Sequence, residues 1–574
     1  MNAEVSNGPV EVMAPAIHVA NLAVTADSGG QRKILLNGIS FEMTSGSFIS
    51  VIGSSGCGKS TLIKALAGLL PASSGRILFA GHPVQHLRER LPLAIGYLPQ
   101  FGAFHASLTV EENLRDAVAL RLPRSVACEV RENWLRHIVS LARLEPLLSQ
   151  PYGTLSGGQM RRIALAEQLV GDPAFLLLDE LTSGLDEYSD RELMLWLRDL
   201  AHEHQKTIVL VTHATYHLEL CDSVLFLHQG RQVQFAPYED LLRSHEVSSV
   251  ADLFEFYETQ SPEFLNLGLI DALEETSDVP AQALKSARPP SAIAQIPVLL
   301  RRQATLFARD RSQLWLHLAL ILTFPALVAV FAVSGLPQVQ QLTLQLESNI
   351  VKTLAEQLIY LRESFRASAL ISGLAMFQVI LLTLIGANNG AREIAKERAV
   401  LGKELRAGLS PFAYLFVKAL HLGFLCFVQA FWMAWFVKTI CGFPGSLTEQ
   451  FTILFATTAA MSATCLAISA AASSPERASL LAIYLVGFQL PLSGAALALP
   501  EWVSFICRPF IAAYWGWSGY LQTLASTPHY DVVKQATTTQ ISSYAASVGV
   551  VGMHGLVALV FAWLFLKKGR VEAC

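Results

Sequence analysis

Gly53-Ser54-Ser55-Gly56-Cys57-Gly58-Lys59-Ser60-Thr61 decides the fold class of the first part of this 574-residue chain. The stretch spells the phosphate-binding loop (P-loop) pattern, Gly-x4-Gly-Lys-Ser/Thr. The apolar run Phe48–Ile52 precedes it as a strand, and Leu62, Ile63, Leu66 and Leu69 follow at helical spacing, which is the setting the pattern requires. Glycines let backbone N–H groups converge on phosphate oxygens, and the start of the helix adds a favourable dipole. Lys59 can reach the β- and γ-phosphates of a nucleotide, and the Ser60 hydroxyl can ligate Mg2+.

Further along, Phe175-Leu176-Leu177-Leu178-Asp179-Glu180 reads as a buried strand ending in two carboxylates. Asp179 can hold Mg2+ through water, and Glu180 can orient or deprotonate an attacking water. Alone, two acids after a strand are usually a solvated turn; the P-loop upstream reverses that weighting. Ile208–Val211 is a third apolar run. Such runs, alternating with helical stretches from residue 16 to 255, predict an α/β domain with parallel strands, and no internal repeat is visible.

Charged residues make up 15% of the chain, against roughly 25% in a typical soluble domain, while hydrophobic residues reach 52%. That balance suits a membrane protein diluted by a soluble part. A net charge of -4 argues against a nucleic-acid partner. The eight cysteines are scattered without metal-ligand spacing, so no zinc or redox site is expected. Cys441 and Cys507 fall in expected outer loops, where a disulfide and two free thiols are both open readings. The segment from Met1 to Pro15 is polar and lacks a signal-peptide pattern, so the first domain is expected in the cytosol.

The soluble half resembles the ABC ATPases. Leu155-Ser156-Gly157-Gly158-Gln159 is similar to their signature motif, Gln100 in Gly96-Tyr97-Leu98-Pro99-Gln100 to the Q-loop, Ser183-Gly184-Leu185-Asp186 to the D-loop, and His213 to the switch histidine. The resemblance implies that two such domains sandwich two ATP molecules. Each site would combine the P-loop, Gln100, Asp179, Glu180 and His213 of one subunit with Ser156 and Gly158 of the other. Glu180, Gln100 and His213 would be catalytic, and Ser60, Gln100 and, through water, Asp179 would hold Mg2+. Gly157, Gln159 and Asp186 complete the candidate nucleotide-binding set. The family often stacks adenine on an aromatic residue after the first strand; Leu22–Asp27 offers none.

The second half carries six apolar stretches near the roughly 20 residues a spanning helix needs. They are Leu314–Val333, Ala367–Ala387, Tyr414–Val437, Phe451–Ala472, Ala478–Leu499 and Ala546–Leu566. The expected domains are therefore an ABC ATPase at 16–255, a linker at 256–294, an amphipathic connecting helix at 295–312 and an all-α six-helix transmembrane domain at 313–570. In the connecting helix Ile296, Leu299, Leu300, Leu306 and Phe307 would lie on the membrane surface among Arg301, Arg302, Arg309 and Arg311. These arginines, the run Arg392, Lys396, Arg398, Lys403 and Arg406, and Lys567, Lys568 and Arg570 at the end place both termini in the cytoplasm.

An ATPase preceding six spans resembles the ABCG (White-type) half-transporters and bacterial relatives with ABC-2-type permeases. Glu397-Arg398, Lys403-Glu404 and Gly408-Leu409-Ser410-Pro411 fit that group. Gln159 and the run Thr212-His213-Ala214-Thr215 point to a bacterial member, hence to the inner membrane. The resemblance implies an ATP-driven exporter acting as a dimer, with a second half-subunit of the same kind as partner and a lipid or other amphipathic cargo. It also implies that Arg392–Arg406 passes ATPase closure to the membrane domain. Phe377, Gln378, Phe488 and Gln489 are candidates for the substrate path, although the two glutamines equally suit interhelical hydrogen bonding. Lys418 and His421 are expected to snorkel to a membrane face. An ATPase that signals to a partner without moving a substrate is the competing reading.

Overall fold

The computed structural model describes residues 16–28, 31–100, 102–123, 126–184, 186–259, 288–332, 350–495, 499–537 and 539–572. Two units emerge: Met1–Val298 with Gly402–Ser410 and Arg570–Cys574, and Leu299–Leu401 with Pro411–Gly569.

The first unit is built on ten strands: β1 (Ile17–Ser28), β2 (Gln31–Met43), β3 (Phe48–Ile52), β4 (Ser74–Phe79), β5 (His82–Pro83), β6 (Ile95–Leu98), β7 (Phe175–Asp179), β8 (Thr207–Val211), β9 (Ser223–His228) and β10 (Arg231–Ala236). Their order is β5-β4-β1-β2-β10-β9-β3-β8-β7-β6. The run β9-β3-β8-β7-β6 is parallel, as expected. The β1–β2, β1–β4 and β9–β10 pairs are antiparallel, so the sheet as a whole is mixed. Eight helices accompany it: α1 (Lys59–Leu66), α2 (Val84–Arg90), α3 (Val110–Arg121), α4 (Cys128–Leu141), α5 (Gly157–Leu169), α6 (Glu187–His202), α7 (Tyr238–Ser244) and α8 (Val250–Thr259).

Every residue of β3, β7 and β8 is buried, because helices or strands cover both faces of the central sheet. Side chains alternate between the faces. Leu176, Leu178, Ile208 and Leu210 pack with Ile163 of α5 and Leu193 and Leu197 of α6. Leu177, Val209 and Val211 pack instead with Leu62, Ile63 and Leu66 of α1. The ends of β3 and β7 are thereby fixed, and the P-loop and the acidic pair grow from them.

The second unit is helical: α9 (Ala292–Arg309), α10 (Arg311–Ala332), α11 (Ile350–Ala391), α12 (Arg398–Arg406), α13 (Pro411–Cys441), α14 (Leu447–Ala471), α15 (Pro475–Leu492), α16 (Glu501–Cys507), α17 (Ala512–Gln522), α18 (Pro528–Ala536) and α19 (Tyr544–Glu572). The first residues of α9 and the last of α12 group with the first unit. Among the described residues five helices are long and apolar enough to span a membrane: α10, α11, α13, α14 and α19. The other expected span, Ala478–Leu499, falls largely on α15, which has 18 residues and carries Glu476, Arg477 and Gln489. Residues 496–498 lie outside the described set. α11 runs for 42 residues, roughly 63 Å at the helical rise. Lys352, Arg362 and Arg366, which precede the expected span Ala367–Ala387, belong to this helix.

Helices α11 and α14 meet very closely. At Gly390 a Cβ would stand 2.2 Å from the Ser462 carbonyl oxygen, so no side chain fits. The core around them includes Trp517, Tyr514 and Tyr520, all within 1% of complete burial.

Two expectations need correction, and one falls largely outside the described residues. Most of the linker, residues 260–287, lies outside the described residues, and Phe256–Thr259 close α8. The connecting helix α9 buries a largely polar face, Gln295, Leu299, Arg302 and Gln303, while Ile296, Leu300, Leu306 and Phe307 are half-buried. The reason is hydrogen bonding. Gln295 accepts from Ser410 N–H at 2.8 Å and donates to the Pro290 and Gly408 carbonyls, and Gln303 donates to Glu393 at 3.0 Å. Finally, Lys418 does not snorkel: it is 2% exposed, held by Glu393, Glu397 and Gln303. Cys441 and Cys507 are both free thiols.

Candidate functional site

The P-loop turns out of β3 at Gly53, whose φ of 151° and surroundings exclude any other residue. A Cβ there would stand 2.2 Å from the Leu227 carbonyl oxygen and 2.6 Å from Cys57 Sγ. Ser54, Ser55 and Gly56 form the loop's crest, and α1 starts at Lys59 with Ser60 and Thr61 in its first turn. Lys59 is 4% exposed, and its ammonium donates to the carbonyls of Gly53 at 2.7 Å and Ser54 at 2.9 Å. Burial pushes its pKa below the usual range, partly offset by nearby Cys57, Glu180 and Asp179.

Asp179 closes β7, opposite Val211 of β8. The Ser60 hydroxyl hydrogen-bonds its carboxylate, while burial first and the Glu180 charge second hold its pKa above the normal carboxylate range. Its Oδ1 is enclosed and has no hydrogen-bond partner. An orphaned buried carboxylate oxygen beside a hydroxyl suits a hard divalent cation, so Ser60 and Asp179 fit Mg2+.

Glu180 adopts a left-handed backbone, φ 54°, while its N–H donates to the Val211 carbonyl at 2.8 Å. Its two carboxylate oxygens are gripped from opposite partners. Oε2 accepts from Gln100 Nε2 at 2.5 Å, and Oε1 lies 3.0 Å from His213 Nε2. The residues singled out from three distant segments thus meet in one hydrogen-bonded row after the ends of β6, β7 and β8. A carboxylate so fixed can orient a water and take its proton.

The signature residues stand apart from this row. Ser156 caps α5, accepting from Gln159 N–H at 3.4 Å, and the Gln159 side chain accepts from Ser156 N–H at 2.9 Å. Gln159 is therefore spent on its own helix start, as a capping box. Ser156 and Gly157 are exposed and Gly158 is half-buried. Among the described residues, no hydrogen bond joins this helix start to the P-loop. Asp186 likewise caps α6, accepting from Ser189 N–H and hydroxyl at 2.9 and 2.8 Å, which lowers its pKa. Leu22–Asp27, where an adenine-stacking ring was sought, are part of strand β1, which bulges between Val19 and Thr25 and brings no aromatic ring.

Other contacts were not read from the sequence. Thr182 and Thr212 share a hydroxyl–hydroxyl bond of 2.6 Å, and Thr212 accepts from Ala214 N–H, bracing the turn that carries His213. Within the first unit, Glu167 of α5, 4% exposed, binds Arg121 at 2.8 Å and Lys403 at 2.7 Å; Lys403 also donates to the Ala103 carbonyl and lies 3.8 Å over the Phe104 ring. A glutamate following the apolar helical run Ile163–Ala166 and buried with it was the available signal.

Among the described residues, the four substrate-path candidates make separate contacts. Gln378 is fully buried and bonds Tyr520 OH and the Leu374 carbonyl, while Gln489 accepts from Ala513 N–H at 3.1 Å. Both act as interhelical ties in this conformation. Phe377 stacks edge-on against Phe331, and Phe488 is 60% exposed.

The ABC transporter family description matches residues 36–183, and that of the ABC-2 type transporter matches residues 294–520. The chain is similar to the ABC transporter ATP-binding/permease protein Rv1747 of Mycobacterium tuberculosis, 29% identical over 570 residues, covering 94% of this chain and 62% of that protein. It thus spans less than two thirds of that relative's length. The cassette is similar to the Nod factor export ATP-binding protein I of Rhizobium sp., 34% identical over 225 residues, 39% of this chain and 72% of the relative. A dimeric, ADP- and Pi-bound cassette, MJ0796, superposes with a TM-score of 0.35 at 25% identity, covering 38% of this chain and 98% of that one. With an ATP-binding, ATP-hydrolysing cassette on one chain with an integral ABC-2-type membrane domain, this protein belongs to the ABC transporter family.

Proposed function

We propose that the protein is an ATP-driven exporter half-transporter whose homodimer moves a lipid or other amphipathic molecule across a bacterial inner membrane, with both termini cytoplasmic. The observation that carries the reading is the row Gln100–Glu180–His213 beside Lys59 and the orphaned Asp179 oxygen, on one chain with five helices, among the described residues, long and apolar enough to span a membrane. In this reading α15 completes the six spans. ATP with Mg2+ would supply the phosphoryl-transfer chemistry. Lys59 would release the Gly53 and Ser54 carbonyls to meet phosphate, Ser60 and Asp179 would hold the cation, and Glu180 would align a water and accept its proton. Gln100 and His213 keep the Glu180 oxygens aimed. Ser156, Gly157 and Gly158, exposed at the start of α5, would close the partner subunit's site. Lys403, tied to Glu167, would carry that closure into segment 402–410.

The test is ATP turnover by the purified protein in nanodiscs, with and without a lipid extract, using Glu180→Gln as the blank. Turnover stimulated by the extract and absent from the blank is expected. Turnover that survives Glu180→Gln would remove the assigned base, and turnover indifferent to every lipid would favour a signalling ATPase.

A further inference from the structure

A cavity of about 40 Å³ lies within the first unit, between α2, β6, the end of α5 and segment 402–410. One enclosed water occupies roughly 10–15 Å³ of such space, so there is room for about three or four oxygen-sized atoms. Its charged lining is of one sign. Arg88 of α2, Arg121 of α3, and Lys403 and Arg406 of α12 border it, and among the described residues no carboxylate does.

The carboxylates around the cavity offset only part of that charge. Glu167 binds both Arg121, at 2.8 Å, and Lys403, at 2.7 Å, and Glu404 acts on Lys403 from the next position. Asp172, past Gly171, is held by Lys206 at 2.6 Å, and Glu89 on α2 is exposed between Arg88 and Arg90. Asp179 acts on Tyr97, which lines the cavity, but is opposed by Lys64 and hydrogen-bonded by Ser60. Four cations thus border the space against Glu167 and Glu404. The second observation is a donor without an acceptor. Gln168, 9% exposed near the end of α5, lines the cavity, and its Nε2 is enclosed with no hydrogen-bond partner. A buried N–H left unbonded is costly, so it marks a place for an acceptor.

We propose that this cavity is a binding site for a small oxyanion, inorganic phosphate first, taken by Gln168 Nε2 and the surrounding cations. Water satisfies the amide alone. An oxyanion satisfies the amide and offsets the charge, and guanidinium groups match its oxygens. Phosphate is also a product of the cassette's own reaction, so the ligand is at hand. Bound there, it joins Lys403 and Arg406 of segment 402–410 to Arg88 and Arg121, cations that otherwise repel one another. The ion therefore tightens this segment against β6, the strand that leads to Gln100. The inference goes beyond the transport reading and holds for any cargo.

The experiment reads binding without turnover. The parent protein in phosphatidylcholine nanodiscs is dialysed against radiolabelled phosphate at constant ionic strength, with and without a non-hydrolysable ATP analogue filling the ATP site. Saturable binding to a single site per chain, retained with the analogue present, is expected. Gln168→Leu, which replaces the amide with an apolar group of similar size, should fold and weaken that binding ~10-fold, the worth of a hydrogen bond to a charged group. Arg406→Gln should weaken it by a similar factor, and Arg243→Gln, on the exposed face of α7, should leave it unchanged. Absence of saturable binding overturns the proposal, as does phosphate fully displaced by the analogue, which belongs to the P-loop. Equal weakening in Arg243→Gln and Arg406→Gln overturns it as diffuse charge attraction. Gln168→Leu protein that folds and binds phosphate as the parent does overturns it too, since the cavity then holds water alone.

Discussion

Replacing Lys418 with methionine tests whether the membrane unit is organised by a buried charge cluster. The Lys418 ammonium has three N–H donors. Each is matched: Gln303 Oε1 at 2.8 Å, Glu393 Oε1 at 2.9 Å and Glu397 Oε2 at 2.9 Å. Both lysine and Glu393 side chains are 3% exposed. Removing one member of a buried ion pair costs about 3–5 kcal/mol, because the partner charge stays desolvated and unpaired. In Lys418→Met, Glu393 would keep Lys396 at 2.9 Å and the Gln303 amide at 3.0 Å, and Glu397 the Tyr414 hydroxyl at 3.1 Å, but both would lose the buried ammonium. At about 2–4 °C per kcal/mol for a unit of this size, the unfolding midpoint in nanodiscs should fall by ~6–20 °C. The double variant Lys418→Met/Glu393→Gln removes the stranded charge as well and should recover at least half of that loss. A shift under ~2 °C for the single variant would return Lys418 to the class of exposed, snorkelling lysines, whose ion pairs are worth under about 1 kcal/mol. A double variant as unstable as the sum of both single ones would show that the groups do not interact.

Further outcomes follow from the same geometry. Glu180→Gln should retain ATP binding while lowering turnover by about 10²–10⁴-fold, the usual worth of a positioned base, read by nucleotide binding and phosphate release on one sample. Gly390→Ala places a methyl 2.2 Å from the Ser462 carbonyl and should lower the unfolding midpoint, whereas Gly423→Ala, with nothing within 4 Å, should hold or raise it. Asp190, 3% exposed with neither carboxylate oxygen partnered, has its pKa raised by burial to about 6. Its folded value exceeds the unfolded one, so the folded state takes up the proton first. Stability is gained as pH falls through 6 and is fully present below the unfolded pKa. Above pH 6 the charged form costs up to about 3 kcal/mol. The cassette's midpoint should therefore drop between pH 4 and 8 in the parent and drop less in Asp190→Asn; parallel curves would refute the assignment.

The parts of this protein that were legible in its sequence are those whose chemistry is local. The P-loop spans nine consecutive residues, and its strand and helix are its immediate neighbours, so Gly53–Thr61 announced their own geometry. Glu180 was read as an acid following an apolar run, and Gln100 and His213 through the family resemblance alone; all three follow the ends of neighbouring parallel strands, which brings them together. The capping roles of Ser156 with Gln159 and of Asp186 were also written locally, three residues ahead, yet the expectation of a nucleotide contact obscured them. What stayed hidden depends on partners chosen by tertiary packing. Lys418 looked like a lysine at a membrane edge because its partners lie 115, 25 and 21 positions away, on α9 and in the turn before α12. α9 looked amphipathic by its arginines and leucines, but Gln295 and Gln303, uncharged yet polar, decide which face is buried. Gln378 and Gln489 invited a substrate path for the opposite reason, since a polar residue within an apolar span has no visible partner until Tyr520 and the Ala513 N–H are brought to it. Hydropathy prices a side chain by its own transfer cost, and burial depends on that cost minus whatever bonds the fold supplies. Sequence reading should accordingly err most often at polar residues inside apolar segments, and that is where Gln378, Gln489, Glu167 and Lys418 all lie.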